Sequence, residues 1–318
     1  MKRCTPRLLS LSVAALAAAM TCIPAQAAPR AYVASDGNDA RANSGCPLAG
    51  PCRSFQAAHN AVDSGGEIVA LDTADYGPVT IGKSVSILGG SGFVAGIVVA
   101  AGNGVTIAKP GLAVVLRNLT ITGAGGVHGV AMTAGDSLTL ENCVISQASS
   151  DGVAVSGVAD ARIVDSLLRG NGGHGASFLD VARGHVVNSR FMGNGASGLV
   201  VHTAGNLAAS TTVNDSLASG NAIDGFALRV TNGRTWMGLV RATASNNGGS
   251  GFRNERLLVL PLATMSVGGS TATGNAAGFN NSLSRFDAPP HFESLGNNIV
   301  RGNAADVLGV PIQTFSGL

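Results

Sequence analysis

Polar side chains that could do acid–base chemistry recur along this sequence at a nearly constant spacing. The residues that precede seven regularly spaced glycines are His128, Asp151, His174, Ser197, Asp224, Ser250 and Ala277. If successive repeats stack like neighbouring strands, members of this row lie ~5 Å apart. Such a row could transfer protons or hold a metal, so His128, Asp151, His174 and Asp224 are candidate catalytic residues. The simpler interpretation, which we favour, is a polar ladder facing solvent at a corner of each repeat.

A second group of residues could bind a saccharide. The only tryptophan, Trp236, lies close in the repeat to charged side chains. An aromatic ring beside guanidinium and carboxylate groups is a reasonable platform for a sugar, which makes Arg234, Trp236, Arg253 and Glu255 candidate substrate-binding residues. Alternatively, Trp236 and the apolar run from Leu257 to Leu260 simply cover each other over the sheet.

A third group, Asp36, Asn38 and Asp39, is rich in oxygen and could hold calcium. The residue types in the segment Asp36-Gly-Asn-Asp39 are also typical of a turn, and a turn is the interpretation that we favour. No other cofactor is indicated.

The first 27 residues have the three parts of a signal peptide. Lys2, Arg3 and Arg7 form a basic start, residues 8–20 are apolar, and residues 25–27 form a small-residue cleavage site. We therefore expect a secreted or periplasmic protein whose mature chain, residues 28–318, is a single domain. In an exported chain, Cys46 and Cys52 are expected to form a disulfide, and Cys143 in an apolar run is expected to be a core residue.

Charge and hydropathy exclude two classes of partner. The whole chain has a formal net charge of +2. The signal peptide contributes three positive charges and no negative one, so the mature chain carries −1 and has no electrostatic footprint for nucleic acid. After residue 27, no apolar stretch reaches the ~20 residues that a membrane-spanning helix needs.

The elements that must position these residues form a repeat. The landmark glycines stand at 129, 152, 175, 198, 225, 251 and 278, and asparagines at 171, 194, 221, 247 and 275 accompany them. Between these landmarks, short runs such as 119–121 and 138–140 are rich in β-branched residues, which is typical of strands. A fixed period of this size indicates stacked units.

This pattern predicts an all-β fold, a single-stranded right-handed parallel β-helix of about ten coils. The asparagines suit a hydrogen-bonded ladder at the corners, where Asn also tolerates left-handed backbone. The landmark glycines are expected to serve corner geometry. Residues 54–62 are expected to form an N-terminal helical cap, with Ser54 at its N-cap. After Gly198 the period lengthens, and the extra residues are expected in loops on a binding face.

The opening blocks at 32–39, 51–58, 65–69 and 76–81, together with the repeat, resemble secreted bacterial right-handed parallel β-helix proteins of the pectate-lyase-like superfamily. The resemblance covers nearly the whole mature chain and implies the fold, not an activity. Gly173-His-Gly175 matches part of the polygalacturonase pattern, but the Asp-Asp pair and Arg-x-Lys of that pattern are absent, as is the Asp-Pro-His-Asp of alginate epimerases.

These observations lead to three hypotheses for function. The first is an exported, non-catalytic protein that binds a polysaccharide along its flank. The second is a polysaccharide lyase or glycoside hydrolase with a diverged site. The third is a structural or adhesive rod. A carboxylate cluster with a basic residue in one groove would favour the enzyme, and an aromatic-rich shallow groove would favour binding.

Overall fold

The computed structural model describes residues 29–157, 159–257, 262–283 and 291–315. The expected signal peptide lies outside these residues, as does most of the apolar run from Leu257 to Leu260. Within the described ranges, no helix has the length and apolar character needed to cross a membrane.

The chain winds into a solenoid with three parallel β-sheets, and each coil passes through sheet 1, sheet 2 and sheet 3 in turn. In the described part of the chain, sheet 1 has twelve strands and sheets 2 and 3 have ten each. Each strand inside a sheet pairs in parallel with its counterparts in the coils before and after it, and each edge strand pairs with one neighbour. The predicted parallel β-helix is therefore confirmed.

The strands are numbered in chain order. Sheet 1 contains β1 (Arg30–Val33), β2 (Gly66–Ala70), β5 (Val85–Leu88), β8 (Ala113–Arg117), β11 (Ser137–Glu141), β14 (Asp160–Val164), β17 (Arg183–Val187), β20 (Ala208–Asn214), β23 (Arg234–Val240), β26 (Leu262–Gly268), β29 (His291–Ser294) and β32 (Gln313–Thr314). Sheet 2 contains β3 (Ala74–Asp75), β6 (Ala95–Val99), β9 (Leu119–Gly123), β12 (Val144–Ser146), β15 (Leu167–Arg169), β18 (Arg190–Met192), β21 (Leu217–Ser219), β24 (Thr243–Ser245), β27 (Thr271–Thr273) and β30 (Ile299–Val300). Sheet 3 contains β4 (Val79–Ile81), β7 (Asn103–Ala108), β10 (His128–Ala134), β13 (Val153–Ser156), β16 (Ala176–Leu179), β19 (Leu199–Thr203), β22 (Phe226–Val230), β25 (Ser250–Arg256), β28 (Ala277–Leu283) and β31 (Ala305–Gly309).

Two short helices precede the regular coils, a 3-10 helix at Asp39–Ser44 and the α-helix α1 at Phe55–Ala61. The Ser54 hydroxyl accepts a hydrogen bond from the Ala57 amide, which satisfies one of the free donors at the start of α1. Phe55 and Ala58 are buried, and α1 contacts β1, β2 and β4. The expected helix is thus present, while its role as a cap stays a prediction.

The cysteines are placed as the sequence analysis expects. Cys46 and Cys52 form a disulfide with their Cα atoms 5.2 Å apart, next to β1. Cys143 is buried in the core, and burial raises the pKa of its thiol to about 11. Cys143 is therefore a small core residue and not a reactive nucleophile.

The core is built from side chains that point inward at the same position in successive coils. On sheet 3, one inward column runs through Val130, Val153, Ala176, Leu199, Phe226, Phe252 and Phe279. In its last coils the column becomes aromatic, and the Phe226 and Phe252 rings stack with centroids 5.6 Å apart. Alternation of inward apolar and outward polar residues is what fixes the strand register.

The asparagine ladder is confirmed, and it is buried from Asn171 to Asn275. Each side-chain Nδ2 donates to the Oδ1 of the next asparagine at 2.8–3.0 Å, along the series Asn171, Asn194, Asn221, Asn247, Asn275 and Asn303. Each Oδ1 from Asn194 onward also accepts a hydrogen bond from the backbone amide of the preceding asparagine. The ladder satisfies polar groups that would otherwise be buried without partners.

The expectation that ladder asparagines use left-handed backbone is wrong. The non-glycine residues with left-handed backbone that recur between sheets 1 and 2 have φ between 47° and 56°, and they are Asn118, Asn142, Asp165, Asn188, Asp215 and Arg241. The turn from sheet 1 to sheet 2 is so short that one left-handed residue makes it, and short polar side chains tolerate that conformation best.

The landmark glycines are needed for close approach of the coils, not for positive φ. From Gly129 to Gly251, a Cβ added at each would come within 2.6–2.9 Å of the carbonyl oxygen of the landmark glycine in the next coil. Only glycine allows this contact between adjacent backbones.

The coils after Gly198 are longer mainly because their strands are longer. β20, β23 and β26 in sheet 1 have seven residues each, whereas β14 and β17 have five. The expectation that the extra residues form loops is therefore largely wrong. They widen the outer faces of sheets 1 and 3 instead, because added residues that continue the alternation can extend the parallel ladder.

Candidate functional site

The polar column before the landmark glycines has a structural role. From Asp151 to Asp224, each member accepts a hydrogen bond from the backbone amide of its counterpart one coil later. Asp151 accepts from His174 at 2.7 Å, His174 Nδ1 from Ser197 at 3.1 Å, and Asp224 from Ser250 at 2.7 Å. The column is a ladder as favoured, but its later members do not face solvent, since Asp224 is only 1% exposed.

Four charged residues come together on the outer face of sheet 3. Arg253 Nη2 donates to Glu255 Oε1 at 2.6 Å, and Arg229 Nε lies 3.2 Å from the other Glu255 oxygen. Asp224 Oδ2 lies 3.7 Å from Arg253 and 3.9 Å from Arg229, without a hydrogen bond. We call these four residues the charge quartet. Its formal net charge is zero, so each of these half-buried or buried groups has an opposite charge nearby.

The quartet depends on strand register. Arg229 in β22 pairs directly with Glu255 in β25 and with His202 in β19, so the three side chains form an outward column. Arg253 belongs to the neighbouring outward column, next to Asn280 of β28. The lengthened strands of these coils therefore present donors and acceptors side by side.

Two histidines adjoin the quartet. Burial is the main cause that lowers the pKa of His174, the Arg229 charge lowers it further, and Asp151 opposes the shift. Burial also lowers the pKa of His202, whose Nε2 lies 2.9 Å from the Thr231 hydroxyl. Both imidazoles are therefore favoured in the neutral form.

His174 should make the fold sensitive to acid. Its Nδ1 accepts a hydrogen bond in the folded state, whereas in the unfolded chain the group titrates at its ordinary pKa near 6.5. Protons therefore bind His174 more tightly in the unfolded chain than in the folded protein. The stabilisation that His174 gives to the folded state is present above pH ~6.5 and is lost as the pH falls below that value. We expect His174→Asn, which keeps an acceptor that cannot titrate, to lose a few degrees less in Tm than the natural protein between pH 7.5 and pH 5.0. Equal decreases in Tm in the two proteins would contradict this role. Burial also lowers the pKa of His59 and His202, so these two residues should account for the decrease in Tm that remains in the variant.

The four expected saccharide-binding residues do not form one site. Arg253 and Glu255 belong to the charge quartet on sheet 3, whereas Arg234 and Trp236 lie on the outer face of sheet 1 in β23. The expectation of a single cluster is wrong because the chain passes through sheet 2 and reaches a different face between β23 and β25. Trp236 is not packed away, with 40% of its surface exposed.

The remaining candidates are separated from the quartet. Asp151 is three coils before Asp224, which is about 14 Å at the usual strand spacing of ~4.8 Å. The buried Nδ1 of His128 has no hydrogen-bond partner in the described residues. In the N-terminal segment, Asp39 accepts hydrogen bonds from the amides of Arg53 and Ser54 and from the Ser54 hydroxyl at 2.7–2.8 Å.

Burial alone would raise the pKa of Asp39, but these hydrogen bonds outweigh it and lower the pKa. Asp39 therefore anchors the start of α1. Among the described residues, no group of three or more His, Cys, Asp or Glu side chains could hold a metal ion.

Two members of the site, Arg229 and His202, were not among the expected residues. Arg229 lies 26 residues before Glu255, which is one coil, so aligning outward positions coil by coil would have found it. His202 lies one coil earlier in the same column.

A hollow of about 700 Å³ lies away from the quartet, on the outer face of sheet 2 beside Leu167, Arg169 and Met192. No carboxylate lines it. It is a shallow surface depression, and we place the chemistry at the quartet because that is where ionised groups of both signs converge.

A comparison with family models matches residues 95–305 to the model described as "Right handed beta helix region". Among solved structures, pectate lyase Pel9A superposes with a TM-score of 0.53 at 16% identity, over 91% of this chain and 78% of that one. The A-module of the Azotobacter vinelandii mannuronan C-5 epimerase AlgE4 gives a TM-score of 0.40 at 14% identity, over 91% and 87%. No curated protein matches the sequence. At the identity of the pectate lyase, the likeness concerns the fold alone.

Proposed function

The chain belongs to the right-handed β-helix family, and from that premise we propose that it is an exported protein that binds a polysaccharide on the outer face of sheet 3 without cleaving it. Export is supported by the basic, apolar and small-residue parts of segment 1–27 and by the Cys46–Cys52 disulfide, which forms in oxidising compartments.

The observation that carries binding is the charge quartet. Its guanidinium groups are donors only and Glu255 is an acceptor only, and they lie within hydrogen-bonding distance of each other at the surface. A sugar hydroxyl both donates and accepts, so neighbouring hydroxyls can interact with an arginine and a carboxylate at once. The columns run along the solenoid axis, which suits a chain ligand more than a single small molecule.

The accessibility of the carboxylates favours binding over hydrolysis. Hydrolysis of a glycosidic bond by the usual route needs two positioned carboxyl groups that reach the substrate. Glu255 is partly exposed, but Asp224 Oδ2 is buried next to the two guanidinium groups. Burial of Asp224 therefore leaves Glu255 as the one carboxylate of the quartet that a ligand at the surface can contact.

The second candidate function is a polysaccharide lyase or glycoside hydrolase. What favours it is the presence of two carboxylates and two arginines close together near one face, since a carboxylate cluster with a basic residue is typical of these enzymes. Release of reducing ends or unsaturated products from polygalacturonate or alginate, lost in Glu255→Gln, would establish this candidate and overturn the non-catalytic proposal.

Affinity electrophoresis in gels containing polygalacturonate, alginate or a soluble β-1,4-glucan tests the binding proposal. We expect at least one polysaccharide to retard the protein. Glu255→Gln and Arg253→Ala should each weaken that binding about tenfold, which is the loss of ~1.4 kcal/mol expected for one charged hydrogen bond. Arg183→Ala removes an exposed arginine paired with Asp160 on sheet 1 and serves as the matched control.

Failure of all three polysaccharides to retard the protein would overturn the proposal and favour a structural rod. Retardation that is the same in Glu255→Gln, Arg253→Ala and Arg183→Ala would show that the quartet is not the site. A thermal melt of each variant identifies losses of binding caused by unfolding.

A further inference from the structure

Trp236 on sheet 1 is held in one orientation while much of its ring stays exposed. Its indole Nε1 donates to the Ser266 hydroxyl at 3.0 Å, and that hydroxyl donates to Glu293 Oε2 at 2.5 Å. The polar edge of the ring is therefore satisfied by the protein. A fixed aromatic ring with an exposed surface is a preorganised contact, because little side-chain entropy is lost when a ligand binds to it.

Gly238 makes room for the ring. A Cβ added at Gly238 would lie 2.3 Å from Cη2 and 2.4 Å from Cζ2 of Trp236, so the six-membered ring occupies the space above this glycine. Gly238 is buried although it lies on the outer side of the strand. The ring therefore rests on the sheet at Gly238 and does not extend freely into solvent.

A hollow of about 480 Å³ lies at the start of β23, on the strand that carries Trp236. It is lined by Asn206, Leu207, Ala208, Asn232, Gly233 and Arg234. Arg234 is two residues before Trp236, on the same side of β23. In the described part of the chain, Arg234 has no ion-pair partner. Because Arg234 lines the hollow and is the next outward residue before Trp236, the hollow and the ring share the outer face of sheet 1.

We propose that this surface is a second glycan-binding site, which takes an uncharged chain of pyranoses by stacking one sugar on Trp236. The apolar face of a pyranose matches the exposed ring, and its hydroxyls can reach Arg234 and Asn232 in the hollow. The neighbours in register with Trp236, Ser210 and Thr264, are also uncharged and polar. This site goes beyond the proposed function and does not rest on it.

The site binds and does not catalyse. The Glu293 carboxylate accepts the Ser266 hydrogen bond that fixes the indole, so it is engaged in holding the ring. Because the quartet is on sheet 3 and Trp236 is on sheet 1, two glycan chains can be bound on different faces of the solenoid. The protein would then link polysaccharide chains to each other.

The single tryptophan gives a direct test, because fluorescence excited at 295 nm reports on Trp236 alone. We expect cellohexaose to reduce acrylamide quenching of the natural protein at least twofold at saturation. In affinity gels with the soluble β-1,4-glucan, Trp236→Ala should weaken binding at least tenfold. Val240→Ala removes a similarly exposed apolar side chain from the same face of β23 and should leave binding unchanged.

Several results would overturn the proposal. These are an absence of protection by cellohexaose, equal losses in Trp236→Ala and Val240→Ala, or protection by polygalacturonate oligomers alone, which would mean a charged ligand. Glu255→Gln tests independence, since it should leave the protection of Trp236 unchanged. Loss of this protection in Glu255→Gln would mean that the quartet and Trp236 belong to one site, and it would refute the second site. Loss of binding at the quartet alone would not affect the proposal of a second site.

Discussion

Replacing Asn221 with alanine is expected to lower the free energy of unfolding by about 3–6 kcal/mol, the cost of leaving several buried polar groups without partners at ~1–3 kcal/mol each. The Asn221 side chain accepts hydrogen bonds from the backbone and side-chain nitrogens of Asn194. It donates to the Phe191 carbonyl and to Asn247. The ladder is buried at this point, so water cannot replace the lost partners.

Urea unfolding followed by circular dichroism measures this loss. Asn206→Ala is the matched control because Asn206 is exposed in the turn between β19 and β20, and its cost should stay within ~0.5 kcal/mol. If the two variants unfold at the same urea concentration, the ladder does not stabilise the solenoid.

The second large effect is expected for Gly198→Ala, which should cost about 3 kcal/mol, the upper part of the range for overpacking. The added Cβ would lie 2.7 Å from the Gly225 carbonyl oxygen and 3.0 Å from the Phe191 Cβ. The carbonyl cannot retreat easily, because it accepts a hydrogen bond from the Leu199 amide at 3.0 Å.

Gly193→Ala distinguishes two reasons why alanine can destabilise a glycine position, namely steric contact with a neighbouring coil and strain in the backbone conformation. Gly193 has a φ of 59° and no neighbouring atom within 4 Å of an added Cβ, so alanine there should cost only ~1 kcal/mol, the strain of left-handed backbone. Thermal unfolding of both variants checks the order. A larger loss in Gly193→Ala than in Gly198→Ala would refute the account of the landmark glycines.

The repeat was predictable because stacking converts sequence spacing into spatial adjacency. Asn194 and Asn221 differ by one coil, and the sequence alone placed them in one ladder that the structure confirms. The same spacing could not show which of the stacked polar residues face solvent and which are covered by other side chains. Asp224 was expected at a solvent-facing corner, but Arg229 of the same coil and Arg253 of the next coil enclose it.

The grouping of the candidate site failed for a related reason. Trp236 and Arg253 are 17 residues apart, which is about two-thirds of a 26-residue coil and therefore a different face. Arg229 and Glu255 are 26 apart, one full coil, and so they touch. Trp236 and Arg253 were grouped because they are near each other in the sequence. The 26-residue period instead identifies Arg229 and Glu255 as neighbours. The position of the extra residues, in strands and not in loops, could not be read from length alone.

The asparagine ladder also has a direction. In every step the side-chain amide of the earlier coil donates and the oxygen of the later coil accepts, so each coil is completed only by the coil that follows it. A chain delivered N-terminus first can add coils in order, each one closing the donors left open by the last. The unfinished end of such a growing chain always presents the same unsatisfied amide group, so nascent molecules that meet end to end face donor with donor and cannot extend one another's ladder.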